Sequence, residues 1–210
     1  MANESYGLQE KRRIGSECQV MYRCKGRIPE LETARLRLRK MRRRDAAQMF
    51  VHWSDREVTR YMNLAPMIGT SEAADMIALL NHMAGEEDAL RWGIELKDTG
   101  KLIGSCGFNT WQLEGAFRGE IGYELGRDYW RYGYMSEAFT ALLPFGYETM
   151  GLNRIEALVD PRNAASGSFL TSQGFTREGL LRQVQHTSTG YKDMVMYSLL
   201  YDEFLRNKKR

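Results

Sequence analysis

The chain has 210 residues, 43% of them hydrophobic and 27% charged, and a net charge of +3. That length suits one domain with a single sizeable core and is cramped for two, and so small a net charge does not by itself indicate nucleic acid or an anionic membrane. No stretch approaches the roughly 20 apolar residues of a membrane-spanning helix, Met1–Ser5 lacks the apolar core of a signal peptide, and a cytoplasmic setting is expected. Cys18, Cys24 and Cys106, with His52, His82 and His186, lack ligand spacing and support neither a disulfide framework nor a metal site. The charge is unevenly spread, with residues 1–44 basic and the remainder mildly acidic.

Residues 1–30 are polar, lack an apolar period and hold Gly7, Gly15, Gly26 and Pro29, which predicts a loose basic arm ahead of a domain spanning 31–204. Leu36 and Leu38 alternate with arginines within Leu31–Met41, the pattern of a half-buried strand with a solvated basic face. Asp45 is placed to cap a helix carrying Met49, Phe50 and Trp53, and Ser71–Met83 reads as a second helix. Arg91–Leu96, a turn at 97–100 and Leu102–Phe108 predict an antiparallel hairpin, with Gly119–Leu125 as the third strand of the meander.

A helical period runs from Tyr134 to Thr149, and Pro144 with Gly146 predicts a bend or fraying in its second half. A strand at 154–159, a helix from Asn163 to Ser172 ended by Gly174, and two strands near 175–184 and 192–201 follow, leaving 205–210 as a basic tail. The element order is β-α-α-β-β-β-α-β-α-β-β, an α/β chain of the α+β kind.

The segment 126–138 lies between a strand and a helix, where a glycine lets the backbone approach a ligand and successive amides at a helix start present donors to phosphate oxygens. Within it, Tyr129-Trp130-Arg131-Tyr132-Gly133-Tyr134-Met135-Ser136-Glu137-Ala138 resembles the acyl-CoA-binding motif of the GNAT N-acetyltransferase superfamily. Of that superfamily's usual Gln/Arg-x-x-Gly-x-Gly/Ala pattern only Gly133 matches, since Trp130 and Met135 hold the outer positions. The Trp-x-x-Gly-Tyr-x-x-Glu-Ala form is similar to the RimJ/RimL branch, which acetylates N-terminal alanines of ribosomal proteins. The resemblance extends through Leu31–Arg39, Ile103–Phe108, Glu120–Tyr123, Asp160–Ser166 with Gly174-Phe175, and Gly190–Leu199.

The resemblance implies a mixed, mostly antiparallel sheet of about seven strands whose fourth and fifth splay apart, with flanking helices and acetyl-CoA as co-substrate in the gap. It implies backbone contacts to acetyl-CoA from Tyr123, Glu124 and Leu125, from Arg131, Tyr132, Gly133, Tyr134, Met135 and Ser136, and contacts from Asn163 and Ser166. No metal is implied. Acyl transfer to an amine needs a neutral amine, an aligned thioester, a stabilised oxyanion and a proton for the leaving thiolate. Glu120 and Glu156 are the candidate bases. Many GNAT enzymes place a tyrosine acid four residues before the Gly-Phe pair, but Leu170 stands there, and Ser166 is the remaining candidate near the sulfur, with helix capping as its competing role. Glu137 reads as structural.

The acceptor implied is a protein or peptide N-terminal α-amine. Small amines such as polyamines, antibiotics or amino acids, a non-catalytic acyl-CoA-binding module, and contact of the basic arm with nucleic acid or the ribosome are the competing readings. Relatives are often homodimers.

Overall fold

The computed structural model describes residues 8–14, 17–188 and 190–208, with side chains from Tyr22 onward. Strands β1 (Leu8–Ile14) and β2 (Glu17–Arg23) form an antiparallel hairpin apart from the main sheet. The main sheet takes β3 (Leu31–Glu32), β4 (Leu36–Arg39), β5 (Leu90–Leu96), β6 (Leu102–Gln112), β7 (Arg118–Leu125), β8 (Arg154–Val159), β9 (Thr176–Thr187) and β10 (Gly190–Leu200). Their spatial order is β3-β4-β5-β6-β7-β8-β10-β9, and every pairing is antiparallel except β7 with β8. Helices α1 (Ala46–Trp53), α2 (Arg56–Thr59) and α3 (Thr70–Glu86) follow β4. Helix α4 (Tyr134–Pro144) precedes β8, α5 (Ala164–Ser172) follows it, and α6 (Tyr201–Lys208) ends the described chain.

The two-residue period of the strands gives the sheet two unlike faces. One collects Leu36, Leu38, Leu90, Trp92, Ile94, Cys106, Phe108 and Ile121 into the main core with Phe139 and Leu142 of α4. On the other, Met49 and Trp53 of α1 and Ala73, Ala74 and Ile77 of α3 form a smaller core with Met41 and Leu102. This second face also carries charge. Arg39 is 6% exposed, donates Nη1 and Nη2 to Asp45 at 2.7 and 3.1 Å, and pairs with Glu95.

Several expectations are corrected here. The segment Leu31–Met41 is two strands joined by a turn, which brings the main sheet to eight strands rather than about seven. Its basic face is solvated only in part: Arg35 and Arg37 keep 49% and 40% of their side chains exposed, whereas Arg39 is buried against Glu95 and Asp45. Asp45 does not cap α1; its carboxylate accepts from Arg42 N at 2.7 Å and from Arg39. The helical stretch after Tyr134 changes where Pro144 and Gly146 predict but does not fray: past Pro144, which lacks an N–H, it widens into a π-turn over Phe145–Thr149 that keeps Phe145 and Tyr147 buried. Residues 201–208 extend the last strand into a helix whose Phe204 stacks on Tyr147, 4.9 Å between ring centroids, so no tail begins at 205.

The loose-arm expectation for 1–30 is corrected as well: residues 8–14 and 17–23 pair as β1 and β2, residues 22–30 pack on the domain, and 1–7 and 15–16 lie outside the described residues. Tyr22, Cys24 and Ile28 are buried in the main core, Tyr22 lies edge-on to Phe145 at 5.6 Å, and the Trp92 indole donates to Pro29 O at 2.6 Å. Three apolar side chains spaced by polar ones carry no readable period, which is why sequence pattern missed them. A chain beginning at Leu31 should therefore melt on the order of 10 °C lower than the full chain, from the lost burial of these three side chains. Thermal unfolding followed by circular dichroism measures it, and an equal melting temperature would show that the packing contributes nothing.

Candidate active site

Pairing between β7 and β8 covers only Arg118–Glu120 against Arg154–Glu156. Beyond it the strands separate, and the side of β7 facing β8 has no strand partner over Ile121–Leu125. On the main-core face Tyr123, Phe139 and Phe169 pack edge to face, 4.9–5.2 Å between ring centroids. The gap opens into a cleft of about 840 Å³ that passes through the sheet, with Met135, Asn163, Ser166 and Phe169 on one side and Trp53, Met62, Leu64, Met76 and Leu80 on the other. A second cavity of about 620 Å³ runs along α5, and none of the candidate acids or bases lines it.

At the end of β7 the chain turns through residues 126–133 into α4. Arg131 and Gly133 both adopt left-handed backbone, at φ 66° and 77°. Such a turn running into free helix amides forms a concave donor surface for an anion. Arg131 and Met135 line the cleft, and Tyr132, Gly133 and Tyr134 lie between them in the chain; Ser136 Oγ accepts from Gln173 Nε2 at 3.3 Å. The turn is braced from a distance in sequence. Arg35, between β3 and β4, donates both terminal nitrogens to Tyr132 O at 3.2 Å, lies 4.5 Å from the Tyr134 ring centre, and has a terminal nitrogen 3.7 Å from where a Gly133 Cβ would stand. Glu137 holds Arg35 through its Nε at 2.5 Å and its backbone N at 2.6 Å, and accepts from Thr33 Oγ1 at 2.6 Å.

Of the two candidate bases, Glu120 lines the cleft and accepts from Asn109 Nδ2 at 3.2 Å. Glu156 does not. It is 8% exposed, takes Arg154 Nε at 2.5 Å and lies 3.7 Å from Arg118, within an ion network that continues to Glu178. Ser166 reaches the cleft, and its Oγ lies 2.7 Å from the Tyr123 hydroxyl, while its backbone N–H donates to Asn163 Oδ1 at 3.1 Å. Asn163 is thus the α5 cap and a cleft residue together. Burial, partly offset by the Ser166 bond, raises the Tyr123 pKa well above the usual tyrosine range. Leu170 is fully buried. The Leu125 carbonyl is occupied by the Trp130 indole at 2.7 Å.

Sequence reasoning missed a polar network on the α1–α3 side of the cleft. Glu124 is 7% exposed and accepts from Trp53 Nε1 at 3.1 Å, from Ser105 Oγ at 2.5 Å and from Arg91. Arg91 also donates to Asn109 Oδ1 at 3.1 Å, so a chain of donors runs from Glu124 through Arg91 and Asn109 to Glu120. Gly122 makes room for it, since a Cβ there would stand 2.6 Å from Asn109 Oδ1 and 2.8 Å from Arg91 Nη1. No short motif contains these residues; they meet only because three strands align. Among the described residues no cluster of His, Cys, Asp and Glu could hold a metal ion.

For Glu137, burial works to raise the pKa, but the bonds from Thr33 and from Arg35 outweigh it and hold the carboxyl below its usual range. A group depressed in the folded state adds stability above its unfolded pKa and loses it as pH falls through the folded value. Glu137→Gln should thus lower the melting temperature at neutral pH, and the gap to the parent should close as pH falls below about 4. A constant gap across that range would show that its charge does not secure Arg35.

A family model described as an acetyltransferase (GNAT) domain matches residues 35–176. The chain is 45% identical over 174 residues to the uncharacterised N-acetyltransferase p20 of Bacillus licheniformis, covering 83% of this chain and 97% of that one. It is 27% identical over 124 residues to the ribosomal protein uS5-alanine N-acetyltransferase of Escherichia coli, covering 59% and 63%. The solved structure of Mycobacterium smegmatis RimJ in complex with CoA-disulfide has the same fold, with a TM-score of 0.75, 22% identity, and coverage of 85% and 90%. With the splayed sheet and the donor turn at the start of α4, these likenesses place the chain in the GNAT family of N-acetyltransferases.

Proposed function

We propose that the protein transfers the acetyl group of acetyl-CoA to the α-amine of a peptide or protein N-terminus. The observation that carries this reading is the cleft through the sheet, which brings Glu120 and the Tyr123–Ser166 hydroxyl pair to one cavity with openings toward both helical layers. The unpaired edge of β7 at Tyr123 suits a pantetheine amide, and the left-handed turn with the α4 amides, Arg131–Ser136, suits the diphosphate. The acceptor then enters from the α1–α3 side. Its ammonium gives one proton to Glu120 directly or through water, the neutral amine attacks the thioester carbonyl, and a tetrahedral oxyanion forms; as it collapses the C–S bond breaks, and the second proton shed by the nitrogen passes through the Ser166 hydroxyl, bonded to Tyr123, to the departing thiolate. Glu156, committed to Arg154, is left out of this scheme.

Proton energetics support an α-amine. Its pKa is about 7.7–8.0, against about 10.4 for a lysine side chain, so neutralising lysine at pH 7 costs roughly 3 kcal/mol more. One carboxylate held by a neutral Asn109 is modest equipment for that. No helix among the described residues is long and apolar enough to cross a membrane, and the cytoplasm is the compartment we assign to the reaction.

Acetyl-CoA at a hundred times its dissociation constant should stabilise the protein by about 2.7 kcal/mol. Gly133→Val should remove that effect, because a β-branched residue resists the left-handed turn. No thermal shift with millimolar acetyl-CoA would remove the acetyl donor from the proposal.

Glu120→Gln should lower thiol release most below the acceptor pKa, with the defect shrinking as pH rises and neutral amine accumulates. A pH–rate profile parallel to the parent's would remove Glu120 as the base. Better acetylation of an N-blocked lysine peptide than of a free N-terminus would overturn the acceptor.

A further inference from the structure

The α1–α3 side of the cleft is an apolar wall with a single underused carboxylate. Trp53, Val58, Met62, Leu64, Met76 and Leu80 line it, drawn from α1, α2, the following loop and α3. Trp53 and Val58 are buried, whereas Met62, Leu64, Met76 and Leu80 are only half-buried and leave apolar surface toward the cavity. Methionine adapts its shape to an apolar ligand better than a branched side chain does. Asn63 donates to His186 O at 3.2 Å, which ties the loop bearing Met62 and Leu64 to the β9–β10 hairpin across the cleft.

The charges on the wall are already matched. Glu57 has Arg60 at 3.5 Å, Asp160 has Arg162 at 2.6 Å, and Glu124 is filled by Arg91, Ser105 and Trp53. Glu120 is the exception: among the described residues the donor that reaches it is the neutral Asn109 amide. Such a wall offers one place for an amine and none for a second or third ammonium, which a polyamine would bring into a cavity that cannot neutralise it.

Resting on the acetyl-transfer reading above, we infer that the acceptor is a monoamine whose amine-bearing carbon carries a bulky apolar side chain, as in a peptide beginning with Leu, Met or Phe. The amine meets Glu120 and the side chain fills the pocket between α2 and α3. A peptide beginning with Ala or Gly leaves that wall wet.

The test is a thiol-release assay with acetyl-CoA and peptides identical from the second residue on, beginning with Leu, Met, Phe, Ala or Gly, and with spermidine. The Leu, Met and Phe peptides should exceed the Ala peptide by about tenfold or more in kcat/KM, the scale set by a few methylenes in an apolar pocket. Leu80→Asn and, separately, Met62→Ala should bring the Leu-to-Ala ratio down several-fold; both positions are half-buried, and the melting temperature with its acetyl-CoA shift reports that each variant is folded. Equal or better use of Ala or Gly, spermidine as the best acceptor, or an unchanged ratio in both variants would overturn the inference and leave acetyl transfer standing. Absence of thiol release with every acceptor, despite stabilisation by acetyl-CoA, would instead remove the transfer function on which it rests.

Discussion

Two neighbouring strands stop pairing after one turn of ladder, and most of the site follows from that. Parallel β7 and β8 share backbone bonds only near Arg118–Glu120 and Arg154–Glu156. Past that point β7 would present unmatched N–H and C=O groups, which is costly unless water or a ligand takes them. The aromatic group of Tyr123, Phe139 and Phe169 stands where the strands part. The same divergence lets the cavity pass from one helical layer to the other, so donor and acceptor can arrive from opposite faces of one sheet.

The faces differ because the side chains that alternate along the strands differ. The face toward α4 is apolar and closely packed, and supplies most of the core. The face toward α1 and α3 carries Arg39, Glu95, Arg91, Ser105 and Glu124, each buried or half-buried and matched to a partner. Removing one member of such a network strands the charge of the other, which is costly. The network extends through Arg91 to Asn109, and from there to the carboxylate of Glu120.

The donor turn depends on a contact that bridges about a hundred residues. Left-handed backbone at Arg131 is unfavourable for a residue with a Cβ, and Arg35 holds the adjoining Tyr132 carbonyl from the far side. Glu137, in the first turn of α4, acts by securing Arg35 and so has a structural part, while the positive end of α4 stays open to an anion.

Strand and helix positions from Leu90 to Ser172, the Gly133 turn and the place of Asn163 and Ser166 were legible in the sequence, because each rests on a local signal: alternation, a helical period, a glycine needed for positive φ, an N-cap. The ordered family motifs carried the GNAT resemblance for the same reason. Tertiary structure alone decided that Glu120 reaches the cleft while Glu156 stays out of it, within 3.7 Å of Arg118 on the next strand, since two glutamates on adjacent strands look alike until their neighbours across the sheet are known. It alone assembled Arg91, Ser105, Asn109 and Glu124, which lie on three strands, and folded Tyr22, Cys24 and Ile28 into the core without a period to announce them. Local chemistry is written along the chain, whereas which charge is matched, and which is left free to act, depends on contacts between residues far apart in it.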